Sequence, residues 1–119
     1  MKNVLVLGAS MSEDRYSNIA MRKLKLKGFS VFSIGIKKGN VESMEIKTEQ
    51  FSIENLYAIS VYLNATNQKG YYDYILQLKP EKVIFNPGSE NKELEILLDQ
   101  QGIPYEEACT LVLLSLNQL

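Results

Sequence analysis

The stretch Val4–Ser10 reads V-L-V-L-G-A-S, four aliphatic side chains running straight into a glycine close to the start of the chain. A run without polar alternation suits a strand covered on both faces, as in a parallel sheet flanked by helices. A glycine at its carboxyl end is where such sheets turn and where a phosphate can approach the main chain. Ser10–Lys27 then supplies a polar loop followed by a helical pattern. Strand, glycine turn and helix in that order form the front half of a nucleotide-binding βαβ unit.

The alternation continues to the end of the chain. A helix is predicted over about Asn18–Lys27, a strand over Ser30–Ile34 and a basic, glycine-punctuated loop over Gly35–Asn40. A short third strand is expected near Met44–Lys47 and a helical turn from Ser52. Tyr57–Leu63 reads as a strand with Tyr57, Ile59, Val61 and Leu63 on one face. A helix follows over Gln68–Leu78, with Tyr71, Ile75 and Leu78 as its apolar stripe. Strand Val83–Phe85 precedes a helix over Asn91–Gln101, whose Leu94, Leu97 and Leu98 face the core. A strand near Pro104–Glu106 leads into a helical apolar segment, Leu111–Leu116. Gly28 and Gly102 each stand between a helix and the next strand, as C′ residues do. Strands alternating with helices imply parallel pairing through right-handed crossovers. The expected fold is α/β: a three-layer open parallel sheet of five or six strands in a single domain, residues 1–119. With strand order 3-2-1-4-5, the switch point lies between the first strand and the strand ending at Leu63, and ligands bind outside the carboxyl ends there.

A chain of 119 residues is about one domain. Hydrophobic content of 45% with 23% charged residues is that of an ordinary globular protein. A net charge of −1 gives no reason to expect nucleic acid or an anionic membrane as partner. No apolar run approaches the ~20 residues of a membrane span, and no cleavable signal is expected. The single cysteine, Cys109, forms no internal disulfide, which fits a reducing cytoplasm. Histidine is absent, which removes the commonest general base and the commonest metal ligand together. A small, soluble, cytoplasmic domain without a metal is expected.

Four segments meet at the predicted crevice. Gly8-Ala9-Ser10 offers bare main-chain amides to a phosphate, with Ser17 and Asn18 as helix caps that can also reach phosphate oxygens. The same residues suit a tight turn with an ordinary cap, since the full G-x-G-x-x-G pattern is missing. The second strand ends in Gly35-Ile36-Lys37-Lys38, without the acid that a site for NAD uses on its ribose. Lys37 and Lys38 favour a ligand with an extra ribose phosphate, such as coenzyme A or NADP, although Lys-Lys-Gly is also a common solvated loop. Asn64 to Gln68 and Asn86 to Asn91, including Gly88, can read amides, hydroxyls or a base edge, or serve as caps. Cys109 reads as a buried small residue or, alternatively, a reactive thiol. No catalytic arrangement holds together. Adjacent Glu106 and Glu107 face opposite ways in a strand, Asp73 has no evident partner, and no histidine activates a serine.

With these residues in view, the chain resembles the stand-alone CoA-binding domain family, a Rossmann-type domain similar to the N-terminal domain of the succinyl-CoA synthetase α subunit. The resemblance is carried by the V-L-G-A-S start, by Ser17-Asn18 and by L-K-x-K-G-F-S-V-F-S-I leading to Lys37. The later strand–turn–helix units and Cys109 also correspond. Members usually show asparagine-proline-lysine where this chain has Gly35-Ile36-Lys37, and many carry an arginine where Asn64 stands. The resemblance implies that Gly8, Ala9 and Ser10 meet a pyrophosphate, with Ser17 and Asn18 nearby, and that Lys37 lies by the adenosine phosphate. The synthetase's phosphohistidine chemistry does not carry over to a chain without histidine. The expectation is non-enzymatic binding of CoA or an acyl-CoA through Gly8, Ala9, Ser10, Ser17, Asn18, Gly35, Lys37, Lys38, Asn64, Asn86 and Gly88. An NADP-binding reductase subunit and a ligand-free oligomeric scaffold stand as alternatives, and homo-oligomerisation is left open.

Overall fold

The computed structural model describes residues 2–119. Strand β1 (Asn3–Ala9) is followed by α1 (Tyr16–Leu26), β2 (Ser30–Gly35), β3 (Gly39–Val41), β4 (Met44–Lys47) and β5 (Leu56–Val61). Then come α2 (Ala65–Gln68), a 3₁₀ turn at Lys69–Tyr71, α3 (Tyr72–Leu78), β6 (Lys82–Phe85), α4 (Lys92–Gln101), β7 (Tyr105–Glu107) and α5 (Thr110–Ser115). One sheet takes all seven strands in the order β3-β4-β2-β1-β5-β6-β7. Every pairing is parallel except β3 with β4. The Rossmann-like α/β class is as expected, and the central strands β4-β2-β1-β5-β6 follow the expected order with its switch between β1 and β5.

The sheet has seven strands rather than five or six. The additional strand is the Gly39–Val41 arm of a hairpin with Met44–Lys47, and it begins inside the segment expected as a basic loop, Gly35–Asn40. Its turn, Glu42-Ser43, takes φ of 47° and 73°, the left-handed pair of a type I′ turn. Neither residue is the asparagine or glycine that usually signals this turn, so the sequence hides it. The Lys25 ammonium supports the bend by donating to the Glu42 carbonyl.

The continuous apolar run of β1 is explained by its two covered faces. Leu5 and Leu7 pack with Tyr74, Ile75, Leu94 and Leu98 of α3 and α4. Val4 and Val6 pack with Met21, Leu24, Leu113 and Leu114 of α1 and α5. All four β1 side chains are fully buried, each contributing about 1.5–3 kcal/mol. Strand β5 corrects one expectation. Ile59, Val61 and Leu63 do share the α3–α4 face, but Tyr57 packs on the other side with Ala58. A register shift between Asn3 and Val4 along the β1–β5 pairing displaces it.

Two helical expectations shift as well. No helical turn begins at Ser52: this segment runs irregularly to β5, and Phe51 is held by the Tyr74 hydroxyl, which donates to its carbonyl at 2.6 Å. The helix expected over Gln68–Leu78 starts earlier, where Asn64 Oδ1 accepts the Asn67 N–H at 2.9 Å, and breaks at Lys69–Tyr71 around Gly70. Among the described residues, no helix is long and apolar enough to cross a membrane.

Candidate functional site

A cavity of about 740 Å³ opens where β1, β2, β5 and β6 end at their carboxyl edges. The β1–α1 segment supplies Gly8, Ala9, Ser10, Met11, Ser12 and Arg15. Ile36 and Lys37 come from the loop after β2, and Tyr62, Leu63, Asn64 and Asn67 from the β5–α2 connection. Pro87, Gly88 and Ser89, after β6, close the far wall. Of the residues singled out in sequence, Gly8, Ala9, Ser10, Lys37, Asn64 and Gly88 therefore meet at one place.

The β1–α1 segment is shaped for an anion. Arg15 is the N-cap of α1, in extended conformation, and contributes no side-chain cap. No acid occupies the first turn, and the carboxylates of Glu13 and Asp14, just before the cap, do not line the cavity, so no side chain caps the leading amides of this 11-residue helix. By contrast, α4 is capped by Asn91, whose Oδ1 accepts the Leu94 N–H at 3.1 Å, and carries Glu93 and Glu95 in its first turn. Ser17 and Asn18, expected as caps, lie inside the first turn of α1 and are buried. Asn18 acts on the loop instead: its Nδ2 donates to the Ser10 carbonyl at 2.9 Å. Its Oδ1 accepts Arg22 Nε at 2.8 Å, while Arg22 Nη2 donates to the Glu13 carbonyl at 3.0 Å. Helix α1 thus braces the turn at both Ser10 and Glu13.

Two glycines pin the basic loop against that turn. A Cβ on Gly35 would collide with the Ala9 carbonyl oxygen, and one on Gly39 with the Met11 thioether. Gly35 does not line the cavity but sets how closely β2 approaches β1. Between these anchors Ile36 and Lys37 project over the cavity, with Ile36 90% exposed. Lys38 does not line it. Its charge acts on Glu49, whose carboxyl is held below the ordinary range first by its own backbone N–H and to a lesser degree by Lys38.

The opposite wall is braced from within. Gln68, fully buried, donates through Nε2 to the carbonyls of Leu63 at 2.8 Å and Ser89 at 2.7 Å. Its Oε1 accepts Asn91 Nδ2 at 2.8 Å, and that same nitrogen donates to the Tyr72 hydroxyl at 2.9 Å. Asn86 is also turned inward. Its Nδ2 donates to the Val61 carbonyl and to Ser60 Oγ, each at 3.0 Å, and its Oδ1 accepts the Thr110 N–H at 2.7 Å. Asn86 therefore joins β5, β6 and α5 and lies outside the cavity lining. The Tyr62 ring forms part of the wall while its hydroxyl is buried beside Ser60 and Thr110, and burial pushes the phenol above its ordinary range. Cys109 is half-buried at the N-cap of α5.

The expected crevice segments already contain Ile36, Asn67 and Ser89; the lining residues that sequence reasoning missed are Arg15, Met11, Ser12 and Tyr62. Arg15 carries a signal, a cation next to the predicted first helix, although caps are usually small polar residues. The others line the cavity only because four loops converge, and nothing local marks them.

A family model described as a CoA binding domain matches residues 2–115. A crystal structure of an uncharacterized protein superposes with a TM-score of 0.96 at 44% identity, covering 100% of this chain and 98% of that chain. A structure from Thermus thermophilus, cell-free ID.343, gives a TM-score of 0.84 at 21% identity, covering 99% of this chain and 90% of that one. A dinucleotide-forming acetyl-coenzyme A synthetase 1 from Ca. Korarchaeum cryptofilum, in complex with phosphate and ADP, gives 0.73 at 14% identity. That alignment covers 90% of this chain and 25% of the synthetase. At 21% and 14% identity, the latter two show likeness of fold. No curated protein matches the chain.

Proposed function

The chain belongs to the CoA binding domain family, and from this membership we propose that it binds coenzyme A or an acyl-CoA in the cavity without performing chemistry on it. The observation that carries this reading is the N-terminus of α1, which has no side-chain cap and no acid in its first turn and opens beside Arg15 into a cavity that Lys37 also lines and that no carboxylate lines. A pyrophosphate against Gly8–Ser12 receives main-chain amides and the helix dipole. Arg15, a planar donor fork, suits its oxygens. Lys37, on the neighbouring loop, suits the separate phosphate on the ribose. Asn64, Asn67 and the Pro87–Ser89 turn offer amide and carbonyl groups to an amide-containing arm. The lining has no histidine, acid or cysteine to serve as general base or nucleophile, which supports binding rather than turnover.

Calorimetric titration with CoA and with dephospho-CoA tests the assignment. We expect dephospho-CoA to bind about tenfold more weakly, with the difference reduced in Lys37→Ala and by added salt. Equal affinity of the two ligands for the parent chain would remove Lys37 from the site. Binding of NADP in preference to CoA would transfer the cavity to the nicotinamide alternative.

A further inference from the structure

The net charge of −1 conceals a strong segregation. Between Arg15 and Val41 the chain carries seven lysines and arginines and no acid, although Glu13-Asp14 and Glu42 flank that stretch, whereas between Glu90 and Glu107 six carboxylates stand against one lysine. The first stretch forms α1, β2 and β3; the second forms α4 and the edge strand β7, so the two signs lie toward opposite ends of the sheet. The cavity spans the boundary. Arg15 and Lys37 line its basic side, Asn64 and Asn67 its uncharged middle, and Pro87–Ser89 its far wall. Directly after that wall, Glu90 is held in place, its Oε1 accepting the Gly88 N–H at 2.9 Å. The lone cation of this end, Lys92, is engaged by Glu95 at 3.4 Å and approaches Glu107 at 4.0 Å. Lys69, after α2, does not line the cavity.

We infer that the site discriminates among acyl-CoA ligands by the charge of the acyl end, favouring free CoA and neutral acyl groups over acyl groups that terminate in a carboxylate. The inference rests on the reading that CoA occupies the cavity with its phosphates at α1 and Lys37. That pose commits both lining cations to phosphate and leaves the thioester arm running toward the Gly88–Glu90 end. A terminal carboxylate there approaches the Glu90 carboxylate, which stands just outside the lining on the Gly88 N–H, and finds no further lining cation. Solvent at the rim screens the repulsion, so the effect is roughly fivefold in affinity at low salt.

The test titrates the full chain calorimetrically with CoA, butyryl-CoA and succinyl-CoA at low and at high salt. Butyryl and succinyl groups have the same number of carbons, so the pair separates charge from size. We expect CoA and butyryl-CoA to agree within about twofold and succinyl-CoA to bind about fivefold more weakly at low salt. The succinyl-to-butyryl ratio should approach one at high salt and in Glu90→Gln. Succinyl-CoA binding as tightly as butyryl-CoA at low salt overturns the inference and leaves the CoA reading standing. A gap that persists at high salt assigns the discrimination to shape and overturns it as well. Absence of binding by all three ligands overturns the CoA reading together with the inference.

Discussion

Gly8 sits at φ +100°, and a Cβ there would lie 3.1 Å from the Tyr62 carbonyl carbon and 3.2 Å from the Leu63 amide nitrogen. The glycine is thus required by the close approach of β1 to the end of β5 as well as by its left-handed backbone. Its neighbours Ala9 and Ser10 complete the turn that lines the cavity. Asn86 shows how a residue can be well chosen in sequence and serve another purpose: an amide after an apolar strand looks the same whether it faces a ligand or the core. Replacing Asn86 with Ala strands the buried Thr110 N–H and removes the donor to Ser60 Oγ, which keeps its bond to the Thr110 hydroxyl. We expect a loss of about 2–4 kcal/mol in chemical denaturation, by the cost of unpartnered buried groups. Ligand affinity of the folded fraction should change by less than about threefold. A large loss of affinity at unchanged stability would return Asn86 to the binding residues.

At the scale of elements, α4 and β7 meet through a buried carboxyl. Glu95 is 5% exposed, and its Oε2 lacks a hydrogen-bond partner. Burial first, and then the neighbouring Glu107 carboxylate, push its acid above the ordinary value of 4.5; Lys92 opposes this in part. Because the folded protein holds the Glu95 proton more tightly than the unfolded chain, stability from this group is fully present below the unfolded value. It declines as pH rises through the raised folded value. Glu95→Gln should therefore raise the melting temperature at pH 7 by about 2 °C or more, with the gain shrinking toward pH 4. The lost pairing with Lys92 counts for little, since that lysine is 87% exposed. Thermal melts across this range check the sign: a gain that grows toward low pH would contradict it. Elements also show what the sequence made legible. Strand β4 was placed at its observed bounds, and α4 within a residue of them, because period and caps agree there. The β3–β4 hairpin was not found, because Glu42-Ser43 adopts a turn whose usual residues it lacks.

For the whole molecule, the reading of the cavity as a nucleotide site makes a thermodynamic demand. A ligand present at about 100 times its Kd stabilises the folded state by about 2.7 kcal/mol. For a domain of this size that amounts to roughly 10 °C in melting temperature. Thermal denaturation against CoA, acetyl-CoA, NADPH and ADP should show the largest shift with the CoA compounds. No shift with any of them would favour the scaffold alternative. The overall architecture was readable because a doubly covered sheet writes itself locally: unbroken apolar strands, amphipathic helices and glycines between them. The alternation of Val4 and Val6 with Leu5 and Leu7 between two cores is the tertiary counterpart of that pattern.

The amino-acid order by itself determined the alternation of strand and helix, the glycine turn after β1 and the end of the sheet at which a cavity forms. These depend on hydrophobic period and backbone freedom, which are properties of short segments. Only the tertiary structure decided which of the polar residues near that end face the cavity. Arg15 and Lys37 line it, whereas Asn18, Gln68 and Asn86 are turned inward to brace its walls. The reason is physical: a side chain's direction at a loop is set by the partners that other loops bring to it, and those partners come from distant parts of the chain.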